Sequence, residues 1–374
     1  MKKLLLVMLC LLLLAASACS SAGNQATTQN SASEEAVQSS SAATDTAAAT
    51  SEASTGGTKA VEINGYTFNV DTSKNPKDLE IAVVYMNVSD IFASYLEEGI
   101  KGFAAKSGAN CYITGATDWT AESQYNVIEN LITKHPDGIA IAVSDDQTIA
   151  PIINKALEAG IPTICVNSDS SSSKRLSYLG RDDVEAGRVV GEYIVKELEK
   201  KYGEPKGKVL MTTTGAGTNW SDSREKGSKE VFDKYKDIEV VDVINAEGDE
   251  QQAYGALENA LLAHPDIDAM CNMGGTMDLW GRLMKNQNRK DIISVGHDLY
   301  GDVLTYIKDG YLTASHGQRV YEQAYGACEQ LFNFLTTADP SSFKENDVPY
   351  YIFCVDSSNV NEVLAEREAG TPIG

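Results

Sequence analysis

The chain has 374 residues, with 53 acidic against 31 basic side chains and a formal net charge of −22. That balance excludes a nucleic-acid binder, which needs a basic footprint to meet phosphates. The ~315 residues from about Lys59 onward exceed one typical core and suit two domains.

Met1-Lys2-Lys3 is a short basic region, and residues 4–14 are apolar throughout, Cys10 included. Ala16, Ser17 and Ala18 then place small residues before Cys19. This is the pattern of a secretory signal, and the apolar run is too short for a comfortable transmembrane span. Small residues followed by Cys resemble a bacterial lipoprotein box, in which the Cys thiol receives a diacylglyceryl group. The resemblance implies loss of the signal peptide 1–18 and lipidation at Cys19. The box prefers Leu where this chain has Ala16, so ordinary signal-peptidase cleavage is the alternative. Residues 20–58 are almost all Ser, Ala, Thr, Gln and Gly, with four acidic residues and no basic one. Such a stretch buries too little apolar surface to offset its chain entropy. Residues 19–58 are therefore expected to form a disordered tether between a lipid anchor and the folded region.

From residue 80 short apolar strands alternate with amphipathic helices. Residues 80–86 (EIAVVYM) form an apolar run, as a parallel strand covered on both faces should. A helix over 91–106 follows, then a strand at 111–115, a helix at 121–134, a strand at 138–144, a helix at 149–158 and a strand at 161–167. Beyond 168–174 the pattern predicts a long helix near 184–202, a strand at 208–214, a helix at 224–235, a strand at 238–244, a helix at 250–264, a strand at 269–273 and a helix at 277–285. The last units are a strand at 292–296, a helix from Gly301, a strand at 312–317, a helix at 320–337 and a strand at 350–355. This rhythm predicts an α/β fold of parallel sheets with helices on both faces.

Two segments echo each other. Residues 125–137 (YNVIENLITKHPD) and 254–266 (YGALENALLAHPD) share Tyr, Glu-Asn and His-Pro-Asp in register, 129 residues apart. Each is an amphipathic helix that breaks at Pro and leads into an apolar run. The echo predicts two Rossmann-like lobes on one plan, with a cleft between them for a small ligand. Chance similarity of two units in one domain is the alternative.

Beyond Cys19 the cysteines are Cys111, Cys165, Cys271, Cys328 and Cys354, an odd number with no CxxC. All but Cys328 lie in strand-like apolar runs, so structural thiols are expected, with a disulfide or zinc site as alternatives. The four His residues show no ligand spacing, and His135 and His264 belong to the His-Pro-Asp turns. There is no nucleophile elbow, P-loop, GxGxxG or metal motif. The expectation is a binder without catalysis, cofactor or metal; the Gly-rich run from Gly215 leaves a phosphate cradle as an alternative.

In open α/β sheets ligands bind beyond the carboxyl ends of strands. Asp90 and Phe92 follow the first strand, and Asn167 and Asp169 follow the apolar run at 161–166. Trp220, Asp222 and Arg224 lie after 208–214, Gly274 after 269–273, Asp298 after 292–296, and Gln318 after 312–317. Carboxylates and Arg grip vicinal hydroxyls, and an aromatic ring packs on the C–H face of a sugar. Alone, each residue reads as a cap or turn former; together they read as a sugar site.

The runs SDSSSSKRLSYLGRDDVEAGRVVGEYI (168–194), REKG (224–227), VGHD (295–298) and KDGYLTASHGQ (308–318) resemble the type I periplasmic sugar-binding proteins, the ribose/galactose class that feeds ABC transporters. The resemblance runs from about 78 to 356. It implies sugar contacts at Asp90, Asn167, Arg224, Asp298 and Gln318, and stacking on Phe92. Arg224 and Asp298 would bind adjacent hydroxyls and partly neutralise each other. Asp222 is as well placed to cap the Arg224 helix. Asp90, Phe92 and Asn167 look more like the glucose/galactose branch. Gly248 stands where the family usually has an aromatic, and Gly274 where it usually has Asn. That would hollow the second-lobe wall, with Trp220 refilling it. The implied lobes are 79–181 plus 319–349 and 182–318 plus 350–365, joined by crossings near 180–182, Gln318 and 348–350. The implied role is a monomeric extracytoplasmic lipoprotein that delivers a sugar or polyol to an ABC permease. Presentation to a sensor kinase or chemoreceptor, or binding of a nucleoside or autoinducer, is the alternative.

Overall fold

The computed structural model describes residues 57–345 and 353–372, which lie in one compact unit of the chain. The signal and lipidation expectations, nearly all of the tether, and the crossing near 348–350 fall outside the described residues.

The first described structure was not anticipated from the sequence pattern. It is an antiparallel hairpin of β1 (Thr58–Ile63) and β2 (Tyr66–Asp71). Asn64 and Gly65 form its turn, both at positive φ, as a two-residue hairpin turn demands. Alternation along β2 buries Phe68 and Val70 and leaves Thr67 and Asn69 exposed.

The chain then builds a first sheet from β3 (Glu80–Asn87), α1 (Phe92–Ser107), β4 (Asn110–Ala116), α2 (Ala121–Lys134), β5 (Gly138–Ile141), α3 (Asp146–Glu158), β6 (Thr163–Asn167) and β7 (Tyr178–Gly180). Its five strands run parallel in the order β4-β3-β5-β6-β7. The second sheet follows from α4 (Asp183–Tyr202), β8 (Gly207–Thr213), α5 (Asn219–Phe232), β9 (Ile238–Asn245), α6 (Glu250–Ala263), β10 (Ala269–Asn272), α7 (Met277–Asn286), β11 (Ile293–His297), α8 (Val303–Lys308) and β12 (Ala314–Gly317). After α9 (Val320–Thr337), β13 (Phe353–Asp356) adds an antiparallel edge to β12, and α10 (Val360–Glu368) ends the described chain. The order is β13-β12-β11-β10-β8-β9.

Numbered within itself, each sheet reads 2-1-3-4-5, and the second adds β13 as a sixth strand at its edge. The echoed segments are α2 leading into β5 and α6 leading into β10, the same position in both sheets. Their ends differ: His135 is left-handed and donates its N–H to the Leu131 and Ile132 carbonyls, whereas His264 stays at negative φ. The chain leaves the first sheet after β7, and α4 packs on β10 and β11 of the second. It leaves the second after β12, and α9 packs back on α1, β3, β5 and β6.

One helix boundary differs in a way that matters. The helix expected at 224–235 begins at Asn219, so Trp220, Asp222 and Arg224 all stand on α5. The Ser and Asp residues there favour caps and turns, but burial of Trp220, Ser221 and Arg224 outweighs that local preference. α5 also crosses α4 at backbone contact. A Cβ on Gly227 would lie 1.9 Å from the Val184 carbonyl oxygen, and one on Gly187 would lie 2.1 Å from that of Arg224. Only glycine fits at this crossing, which brings Arg224 beside Asp183 at the start of α4.

Candidate ligand site at the carboxyl ends of the two sheets

Strand ends of both sheets border one cavity, at the carboxyl edge where open α/β sheets hold their ligands. The first sheet contributes Tyr85 on β3, Asp90 and Phe92 beyond it, Trp119 after β4, Asn167 at the end of β6 and Arg181 after β7. The second contributes Thr214 after β8, Trp220 and Arg224 on α5, Gly275 after β10, Asp298 and Tyr300 after β11, and Gln318 after β12. Asn167 and Asp298 take left-handed φ values of 64° and 76°. For non-glycine residues this is sparsely populated backbone, of the kind that clusters at ligand sites.

The polar groups form a chain across the cavity floor. Asn167 Nδ2 donates to Gln318 Oε1 at 3.2 Å and to Gln323 Oε1 at 3.0 Å. Gln318 in turn donates its amide to Asp298. Arg224 Nε donates to Asp183 Oδ1 at 2.9 Å, its Nη1 donates to the Met273 carbonyl, and Arg181 Nε lies 2.8 Å from the same Asp183 oxygen. Burial pushes Asp183 up to about 7, against the pull of Arg181. Burial likewise raises Asp298, opposed by Arg181 and the Gln318 amide. Asp90 is pushed up to about 6 by burial, opposed by the Phe92 N–H and reinforced by Asp298.

The aromatic groups form the walls. Phe92 stacks on Tyr85 at 5.6 Å and 24°. Trp220 carries the Arg224 guanidinium 5.2 Å over its ring and meets Trp119 at 6.5 Å. The N-terminal residue of α5 also joins the two sheets' loops. Asn219 N–H donates to the Ser144 carbonyl at 3.1 Å, its Oδ1 accepts from Asp146 N–H at 3.2 Å, and its Nδ2 donates to the Asp169 carbonyl at 3.2 Å.

Of the residues singled out in the sequence, Asp90, Phe92, Asn167, Trp220, Arg224, Asp298 and Gln318 border this cavity. Asp169 does not; both its carboxylate oxygens are bound by Arg175, whose turn the sequence gave no means of placing. Asp222 accepts from the Gly217 N–H at 2.9 Å and so staples the loop before α5. Gly248 lies before α6, where a Cβ would run into the Gln252 side chain, and it does not border the cavity. Gly274 is adjacent to the site: a Cβ would lie 2.8 Å from Arg224 Nη1 and 3.0 Å from the Trp220 ring. The expected mutual neutralisation of Arg224 and Asp298 is replaced by a different pairing. Arg224 pairs with Asp183, and no Arg224–Asp298 ion pair exists among the described residues. Tyr85, Trp119, Arg181, Asp183 and Tyr300 were not anticipated. Trp119 had a signal, an aromatic just past a predicted strand; Tyr85, inside an apolar run, had none.

The family model of the periplasmic binding protein domain matches residues 81–338. The chain is similar to the ribose import binding protein of Bacillus subtilis, with 28% identity over 251 residues, 66% of this chain and 78% of that one. It is similar to the D-ribose/D-allose-binding protein of Pseudomonas aeruginosa, with 25% identity over 291 residues, 74% of this chain and 88% of that one. Its fold is similar to an ABC transporter solute-binding protein of Burkholderia graminis solved with D-arabinose, at TM-score 0.68 and 24% identity, covering 76% of this chain and 98% of that one. A solute-binding protein of Bacillus halodurans with bound myo-inositol matches at TM-score 0.68 and 22% identity, covering 78% and 99%.

Proposed function

Because the chain belongs to the periplasmic binding protein domain family, we propose that it captures a sugar or related polyol between its two sheets outside the cytoplasm and hands it to an ABC permease. One observation carries this reading. A single cavity is bordered by strand ends of both sheets and combines carboxylates, guanidinium groups, amides and the aromatic rings of Tyr, Phe and Trp. Those groups recognise a neutral polyhydroxylated solute: acceptors and donors for its hydroxyls, flat rings for its C–H faces. Asp90, Asn167, Arg224, Asp298 and Gln318 would bind hydroxyls, and Phe92 and Trp220 would pack against the ring. The relatives named for ribose, allose and xylitol support the same class. The family binds solutes without transforming them, so the cavity carboxylates serve as acceptors.

In this reading the lobes are 79–181 with 319–349 and 182–318 with 350–365, and Cys19 carries the lipid that holds the domain near its permease. The test is a thermal-shift screen of the full chain across neutral pentoses, hexoses and polyols, with nucleosides as the competing class. A solute at a hundred times its Kd should stabilise the fold by about 2.7 kcal/mol. It should be recovered chemically unchanged. A screen in which only nucleosides shift the melting temperature, or catalytic turnover of a bound sugar, would overturn the proposal.

A further inference from the structure

Arg181 stands at the crossing from the first sheet to the second, directly after β7 and two residues before α4. It is 6% exposed and borders the ligand cavity. A buried guanidinium normally commits its donors to carboxylates or carbonyls, because an unpaired buried donor is costly. Here Nε and Nη1 are both buried without a hydrogen-bond partner among the described residues. Nε lies 2.8 Å from Asp183 Oδ1 but too misaligned to form a hydrogen bond. That same oxygen receives the well-formed bond from Arg224 Nε. Asp298, the carboxylate across the floor, is already held by the Gln318 amide. Two guanidinium groups therefore share one carboxylate, and the one with idle donors borders the cavity.

We propose that Arg181 is a specificity-determining ligand contact, whose idle donors take one hydroxyl oxygen of the bound solute from the hinge side. The proposal rests on the sugar-binding reading above. A guanidinium can only donate, so the solute atom must accept. A hydroxyl accepts from Arg181 while giving its own proton to a cavity carboxylate. It satisfies both without adding charge to a site where Arg181 and Arg224 already face Asp183 and Asp298. A sugar acid would bring a further negative charge beside Asp298 and Asp90. Arg181 thus selects for a neutral solute with a hydroxyl at one position of the ring or chain.

The test uses the full chain, R181Q and R181K, with calorimetric titration of the neutral sugar or polyol that binds the parent. Its single-position deoxy analogues and its uronic acid are titrated alongside, and ligand-free melting is recorded. R181Q is expected to weaken the neutral ligand by about 30-fold or more. For the one deoxy analogue that lacks the contacted hydroxyl, parent and R181Q should agree. R181K, which keeps a donor and a charge, should fall between them. Ligand-free R181Q should melt close to the parent, since the buried donors it removes make no hydrogen bond and Asp183 keeps its bond from Arg224. Equal affinity of parent and R181Q overturns the assignment. So does a loss uniform across the deoxy series, or tighter binding of the uronic acid than of the neutral sugar. If the parent binds no neutral sugar or polyol at all, the functional reading fails first and this proposal falls with it.

Discussion

Asp90 borders the cavity and Asp183 pairs with the two arginines that border it; both hold their protons unusually well, up to about 6 and about 7 respectively. In each case burial is the main cause. A carboxyl raised on folding binds more protons in the native than in the unfolded chain. Its stabilising contribution is complete below the unfolded pKa and is lost as pH rises through the folded value. The ligand-free protein should therefore lose stability from about pH 4 to 7, each group adding at most ~1.4 kcal/mol per pH unit. Asp90→Asn should flatten the part of that decline below about pH 6. Denaturant unfolding across the range is the check, and a variant profile parallel to that of the parent would sink the assignment. At this scale the sequence was readable where a polar or aromatic residue follows a clear strand, as at Asp90, Phe92, Asn167 and Asp298. It was not readable at Arg181, because β7 has three residues and so no periodic signal. Nor could it show that Asp169 is taken by Arg175, a pairing made by the fold of the intervening turn.

Between elements, the α4–α5 crossing does the most to shape the site. Gly187 and Gly227 let the two backbones touch, and the side chains of Asp183 and Arg224 meet as a result. Gly227→Ala would force a methyl group against the Val184 carbonyl. Overpacking of this kind costs roughly 1–3 kcal/mol, and separating the helices should also weaken ligand binding. A lowered denaturation midpoint with a reduced affinity is the expected pair of results; unchanged values of both would show that the crossing relaxes freely. The alternation of strands and helices was legible because parallel strands buried on both faces read as apolar runs. Missed were the three-residue β7 and the β1–β2 hairpin, whose buried Phe68 and Val70 gave too short an alternation. The early start of α5 was missed because its first turn is rich in residues that favour loops outside a tertiary context.

Across the whole molecule, the duplicated 2-1-3-4-5 order explains why the echo of 125–137 in 254–266 was audible at all: both segments feed the strand beside the first strand of their sheet. The loops of the two sheets are bridged by Asn219. Asn219→Ala keeps the backbone bond to Ser144 but removes two side-chain bonds, to Asp146 and Asp169. That should favour the open arrangement by about 1–3 kcal/mol. Ligand should dissociate faster, and the ligand-free variant should scatter X-rays as a larger particle than the parent. Identical scattering and identical dissociation rates would show that the bridge does not hold the lobes.

The hairpin ahead of the first sheet has a mechanical meaning. Phe68 and Val70 bury their side chains on that side of the molecule, and Phe68 meets Phe334 of α9 edge-on at 5.8 Å. Any pull transmitted along the chain from upstream of residue 57 thus arrives on the body built around the five-stranded sheet. In the two-lobe reading proposed above, that body is the stator, and the one built around the six-stranded sheet is the rotor, the half that would swing when a solute enters or leaves.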